Sequence, residues 1–162
     1  MSTESAAKSS FTVRIANVAL VLAGISLIGM AVVEGWQVFA RYVLNNSPSW
    51  TEPVALLMMS TTMMLGAAVG VRRESHFGFF IALESSPPPL RKVLYFVVRG
   101  ITAGIGLLMA IVGARLAADG WTFPMAGVPL PQGVTFVPIS IGGALIVIFA
   151  IERMFVPRAD RE

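Results

Sequence analysis

The chain has 162 residues, of which 56% are hydrophobic and 13% charged, with a mean hydropathy of +0.77. That balance excludes an ordinary soluble domain, and in so apolar a chain a formal charge of +3 gives no reason to invoke nucleic acid. Cysteine is absent, which excludes a disulfide framework, a thiolate metal site and a Cys-based redox motif.

Residues 1–10 are small and polar and read as a disordered tail. Four apolar segments follow, over about residues 15–39, 50–71, 93–116 and 134–155. Each approaches or exceeds the roughly twenty residues that a helix needs to cross a bilayer. The strict alternation of barrel strands is missing, so the expected fold is an all-α integral membrane protein of four transmembrane helices, one domain over 1–162. The first apolar run is longer than the core of a cleavable signal peptide, which favours a retained first helix.

The first segment carries Glu34, Gln37 and Arg41 at i, i+3 and i+7, giving one polar face near its end. That face suits a substrate or proton site, an interfacial Glu–Arg pair, or a contact with a partner helix. The short polar connection after it ends in Ser49-Trp50-Thr51-Glu52, with capping-box spacing between Ser49 and Glu52 and Pro53 in the first helical turn. The second segment contains Met58, Met59, Met63 and Met64, whose adaptable side chains suit a partner interface or lipid. Gly66 and Gly70 form a GxxxG pair there, as Gly100 and Gly104 do in the third segment, and both are candidates for close helix packing.

The connection 72–92 opens on Arg72, Arg73 and His76 and continues through an apolar patch, Phe77–Leu83. It ends on Pro87, Pro88 and Pro89, read as a stiff extended spacer. Arg99 and Arg115 bracket the third segment and read as interfacial anchors. The connection 117–133 is rich in Gly, Pro and aromatic residues and too apolar to be free in water, and Pro138 should kink the fourth segment or end a short first portion of it. Ten of the twelve Lys and Arg residues fall on the side of the two termini and the 72–92 connection, so the positive-inside rule puts both termini in the cytoplasm.

No segment carries a charge at mid-membrane depth, which argues against a transporter that works alone. The single histidine rules out bis-histidine haem ligation within this chain, and nothing resembles a zinc site or an intramembrane protease. No cofactor and no enzymatic reaction are expected.

Specific residues now group into a pattern. Phe39-Ala40-Arg41-Tyr42-Val43-Leu44-Asn45, Trp50-Thr51-Glu52, Leu65-Gly66-Ala67-Ala68, Arg72-Arg73 and His76 stand in one order. Gly127-Val128-Pro129 and Val137-Pro138-Ile139 with Gly142 follow later. Over about Val33 to Leu145 the chain resembles the small permease subunit of tripartite ATP-independent periplasmic (TRAP) transporters, the DctQ-like family. It departs from that pattern at Pro53, at Ala55–Met58 and at Phe79 and Phe80, where the family usually carries polar residues. The resemblance implies a bacterial inner-membrane subunit that braces a large permease. It implies sodium-coupled import of a small organic acid delivered by a periplasmic substrate-binding protein. It also makes Arg41, Trp50 and Glu52 candidate partner contacts on the periplasmic side, and Arg72, Arg73 and His76 on the cytoplasmic side. The competing readings are an autonomous four-helix exporter of the small multidrug type and a membrane anchor of a respiratory complex.

Overall fold

The computed structural model describes residues 2–73 and 88–155, and His76, the Phe77–Leu83 patch and Pro87 lie outside the described residues. Four long helices follow the apolar segments: α1 (Ser2–Tyr42), α2 (Thr51–Arg73), α3 (Pro88–Asp119) and α4 (Val137–Phe155). Each includes a stretch long and apolar enough to cross a membrane. The fold is helical, as expected, with one isolated β-bridge between Pro124 and Pro131.

Several boundaries differ from the sequence reading. The backbone of α1 begins at Ser2 and so takes in the residues set aside as a tail; Glu4, Ala6, Ala7 and Lys8 are good helix formers with no Gly or Pro among them. Pro88 and Pro89 open α3 rather than closing an extended spacer, because a proline in the first helical turn loses no internal hydrogen bond. Before α4 the chain forms a short 3-10 stretch, Gln132–Phe136, and Pro138 then stands in the first turn of α4. The proline thus stands where a short first portion of the segment ends and the α-helix starts, the second of the two expected outcomes.

The helices pack in the spatial order α1, α2, α4, α3, with α2 against both α1 and α4, and α3 against α4. The two flanking helices therefore leave broad apolar faces uncovered. Ile28 of α1 is 68% exposed and Leu108 of α3 is 63% exposed. In water this would be untenable, while against lipid or another membrane helix it costs nothing.

The α1–α2 contact is a seam of small residues. Ala16, Ala19, Ala23 and Ala40 are buried, and Ser26, Met30, Val33 and Gln37 continue the same alternating spacing of three and four. That repeat keeps one narrow stripe facing its neighbour. Ala19 and Ala23 meet Leu65 and Val69 of α2, and the Thr62 hydroxyl donates to the Ala23 carbonyl at 3.2 Å. On the far side of α2, Met64 and Ala68 meet Ile146 and Phe149 of α4, and Phe149 is fully buried.

The α3–α4 contact depends on glycine. A Cβ at Gly143 would stand 2.6 Å from the Ala110 amide nitrogen, and one at Gly113 would stand 2.7 Å from that of Ser140. Backbones can approach this closely only where side chains are missing. The Ser140 hydroxyl uses the proximity to donate to the Ala110 carbonyl at 3.1 Å.

Candidate functional site

Antiparallel helices give the molecule two ends. The terminal end gathers Thr12, Arg72, Glu152 and Arg153; the hairpin end carries the connections 43–50 and 120–136.

At the terminal end the polar groups bind one another. The Arg72 guanidinium reaches Glu152 through Nε at 3.3 Å and Nη2 at 3.4 Å. Thr12 of α1 donates to the same carboxylate at 2.6 Å. The Arg72 side chain is 10% exposed and that of Glu152 13%, and the guanidinium also lies 5.8 Å above the centre of the Phe149 ring. Arg153 donates to the Arg72 carbonyl through Nε at 2.7 Å and through Nη2. That carbonyl sits in the last turn of α2 and has no partner within the helix, so a cation there satisfies it and opposes the helix dipole. The cluster ties α1, α2 and α4 together.

Sequence reasoning placed Arg72 and Arg73 together as outward contacts. The structure separates them: Arg73 is exposed, while Arg72 is buried in an internal ion pair. Glu152 and Thr12 were missed. Eighty residues separate Arg72 from Glu152 and 140 separate Thr12 from it, so no local spacing announces the cluster. The only signal was a carboxylate among cations at the end of an apolar segment.

At the hairpin end, α1 stops where Asn45 takes a left-handed conformation (φ 51), a state Asn tolerates well, and the Asn46 N–H then caps the Ala40 carbonyl at 3.0 Å. Helix α2 starts one residue later than the expected capping box requires. Its first backbone bond runs from the Val54 N–H to the Trp50 carbonyl, and the Thr51 hydroxyl, fully buried, donates to the Pro48 carbonyl at 2.9 Å. Ser49 is thereby drawn away from the cap and lies instead against the second connection. A Cβ at Gly127, itself at φ 74, would stand 2.5 Å from the Ser49 carbonyl oxygen. The apolar connection 120–136 thus packs on the polar one, pinned by Met125–Leu130 and Gln132–Phe123 backbone bonds, with Met125 buried.

All three tryptophans belong to this end. Trp36 stacks at a tilt on Phe39 with ring centres 5.9 Å apart, and Trp36, Trp50, Trp121 and Phe123 are exposed. Exposed tryptophans gathered at one end of the helices suit a membrane–water interface. Arg41 and Glu52 are exposed here as well. Arg41 forms no pair with Glu34, since seven residues along a helix is about 10 Å. Glu34 and Gln37 instead face Glu52 across a notch between α1 and α2.

The predicted glycine pairs are largely not where the helices meet. A Cβ on Gly66, Gly100 or Gly104 would touch nothing within 4 Å, and Gly70 is half-buried. Packing falls on Gly106, Gly113, Gly142 and Gly143. GxxxG brings helices together only where the facing helix also offers a small surface, and Ser140, Gly142 and Gly143 supply that surface to α2 and α3. The spacing Gly106, Ala110, Gly113 was visible in the chain but does not match the familiar motif.

Comparison with known proteins fits this architecture. The family model of the DctQ component of tripartite ATP-independent periplasmic transporters matches residues 30–159. The sialic acid TRAP transporter small permease protein SiaQ of Vibrio cholerae serotype O1 is 22% identical over 121 residues, covering 74% of this chain and 69% of SiaQ. The C4-dicarboxylate TRAP transporter small permease protein DctQ of the same organism is 27% identical over 74 residues, covering 46% of this chain and 32% of DctQ. With four apolar helices and a family match spanning most of its length, this chain belongs to the DctQ component family, the small permease subunits of tripartite ATP-independent periplasmic transporters.

Proposed function

We propose that the chain is the bracing subunit of a sodium-coupled importer of a small organic acid. In this reading it stands in the bacterial inner membrane beside a large permease that holds the substrate and ion sites. A periplasmic binding protein delivers the substrate. The observation that carries the reading is the family match combined with four helices free of charge through their middles: no Asp, Glu, Lys, Arg or His occurs in 15–33, 53–71, 100–114 or 137–151. A subunit with no charged group at depth offers no stepping stone for an ion or a carboxylate. Its uncovered flanking helices offer apolar surface to a larger membrane partner.

The orientation follows from charge. Both termini and the 72–92 connection lie in the cytoplasm, and the hairpin end faces the periplasm, within reach of the binding protein. There Arg41, Trp50 and Glu52 are the partner contacts. On the cytoplasmic side Arg73, which is exposed, and His76 are the partner contacts, and Arg72 acts from within by holding the helix end in place. The organic-acid class rests on the relatives, whose names specify sialic acid and C4-dicarboxylates. The test is uptake into proteoliposomes of the ligand that the cognate binding protein selects in a screen. The chain alone should give no sodium-dependent uptake, and the three components together should give it. Uptake by the chain alone would overturn the bracing role.

A further inference from the structure

The notch between α1 and α2 at the hairpin end encloses about 320 Å³, at the small end of the range for binding pockets. Its polar lining is Glu34, Gln37 and Glu52, and Met30, Leu56 and Met59 are among its apolar walls. Neither carboxylate forms a hydrogen bond or ion pair with another described residue. The Gln37 Oε1 atom is buried and has no hydrogen-bond partner. Three acceptor groups therefore converge, and the notch lining contains no cationic side chain. Arg41, the cation nearest in sequence, is exposed and unpaired with Glu34.

Glu34 lies eight residues before the end of α1, about 12 Å along the helix and two residues before Trp36, on the lipid-facing part of the hairpin end. Two like charges with an orphaned carbonyl beside them are satisfied together by one multivalent donor that carries positive charge. Ammonium and guanidinium groups meet that requirement, and the apolar walls suit the methylene stem that carries them.

We propose that this notch receives a Lys or Arg side chain from a membrane-spanning helix of the large permease and so fixes the register of the two subunits. The inference rests on the assembly with a large permease proposed above. It explains why an otherwise apolar packing surface keeps two carboxylates where no internal partner meets them.

The test uses the co-expressed complex with an affinity tag on this chain. A photo-reactive benzoyl-phenylalanine in place of Leu56, in the notch wall, should cross-link to a large-permease peptide that contains a Lys or Arg. In parallel, the double variant Glu34→Gln/Glu52→Gln should recover at least about ten-fold less large permease, the loss expected for charged hydrogen bonds. The charge-preserving Glu34→Asp/Glu52→Asp pair should retain most of the recovery. A photo-adduct with phosphatidylethanolamine, or with a peptide lacking any cation, would overturn the proposal. So would full recovery of partner by the double variant. Should that variant misfold, the cross-link made with both carboxylates intact still decides. If the unaltered chain recovers no large permease, the assembly reading itself fails, and this inference with it.

Discussion

Glu152→Ala should be among the most damaging single changes in the molecule. It removes both Arg72 contacts, at 3.3 and 3.4 Å, and the acceptor that Thr12 reaches at 2.6 Å. With its side chain only 10% exposed, the Arg72 guanidinium is left over the Phe149 ring without its counter-charge. Stranding one member of a buried ion pair costs about 3–5 kcal/mol. The lower half of that range applies here, because the pair sits at helix ends where water is near, and the Thr12 bond adds about 1 kcal/mol. The expected loss is therefore about 4–5 kcal/mol. Arg72→Met should cost about 3 kcal/mol by stranding the carboxylate instead. The double variant Arg72→Met/Glu152→Leu removes both charges and keeps the volume, so its cost should be no more than about 1 kcal/mol. Reversible unfolding in mixed micelles, titrated with dodecyl sulfate and followed by tryptophan fluorescence, measures all three. The tryptophans lie at the opposite end of the helices, so the signal reports unfolding of the whole molecule rather than a local change. A Glu152→Ala cost under about 1 kcal/mol would match a surface pair and show that the Arg72–Glu152 pair is not held as a buried one. Equally damaging would be a double-variant cost equal to the sum of the singles.

Other substitutions separate used from unused small residues. Gly143→Ala should destabilise the subunit by about 1–3 kcal/mol, since its Cβ meets Ala110 backbone that cannot move aside, while Gly100→Ala and Gly104→Ala should stay within about 0.5 kcal/mol in the same unfolding assay. Gly127→Ala combines a left-handed φ of 74 with contact against the Ser49 carbonyl. It should cost at least about 1 kcal/mol and increase protease cleavage within 120–136. Thr62→Val, which deletes the bond to the Ala23 carbonyl across the α1–α2 seam, should cost only about 0.6 kcal/mol, the average for hydrogen bonds between membrane helices.

The number and approximate extent of the helices were legible because lipid imposes one dominant rule, a long apolar run, and the chain obeys it four times. Proline was less legible. Pro88 and Pro89 looked like part of a spacer, and Pro138 like a kink or the end of a short first portion; each stands in a first helical turn, and sequence alone does not say which side of a proline is helical. The heptad-like stripe from Ala16 to Ala40 was readable but hidden, since almost every other residue of α1 is apolar as well. The candidate site was half legible. Glu34, Gln37 and Glu52 were each visible as polar residues near one membrane face, but their convergence on one notch depends on the pairing of α1 with α2. The Arg72–Glu152 pair depends on α2 meeting α4, a contact between elements eighty residues apart.

In the proposed assembly this chain is a subunit rather than a transporter in its own right. Affinity purification of the tagged full chain from native membranes in mild detergent, with the mass of the intact particle determined, tests it most directly. The expected particle joins this chain to a much larger polytopic permease, in equal numbers if the brace acts one to one. A stable homodimer of the 17.3 kDa chain, with no larger membrane protein attached, would contradict it.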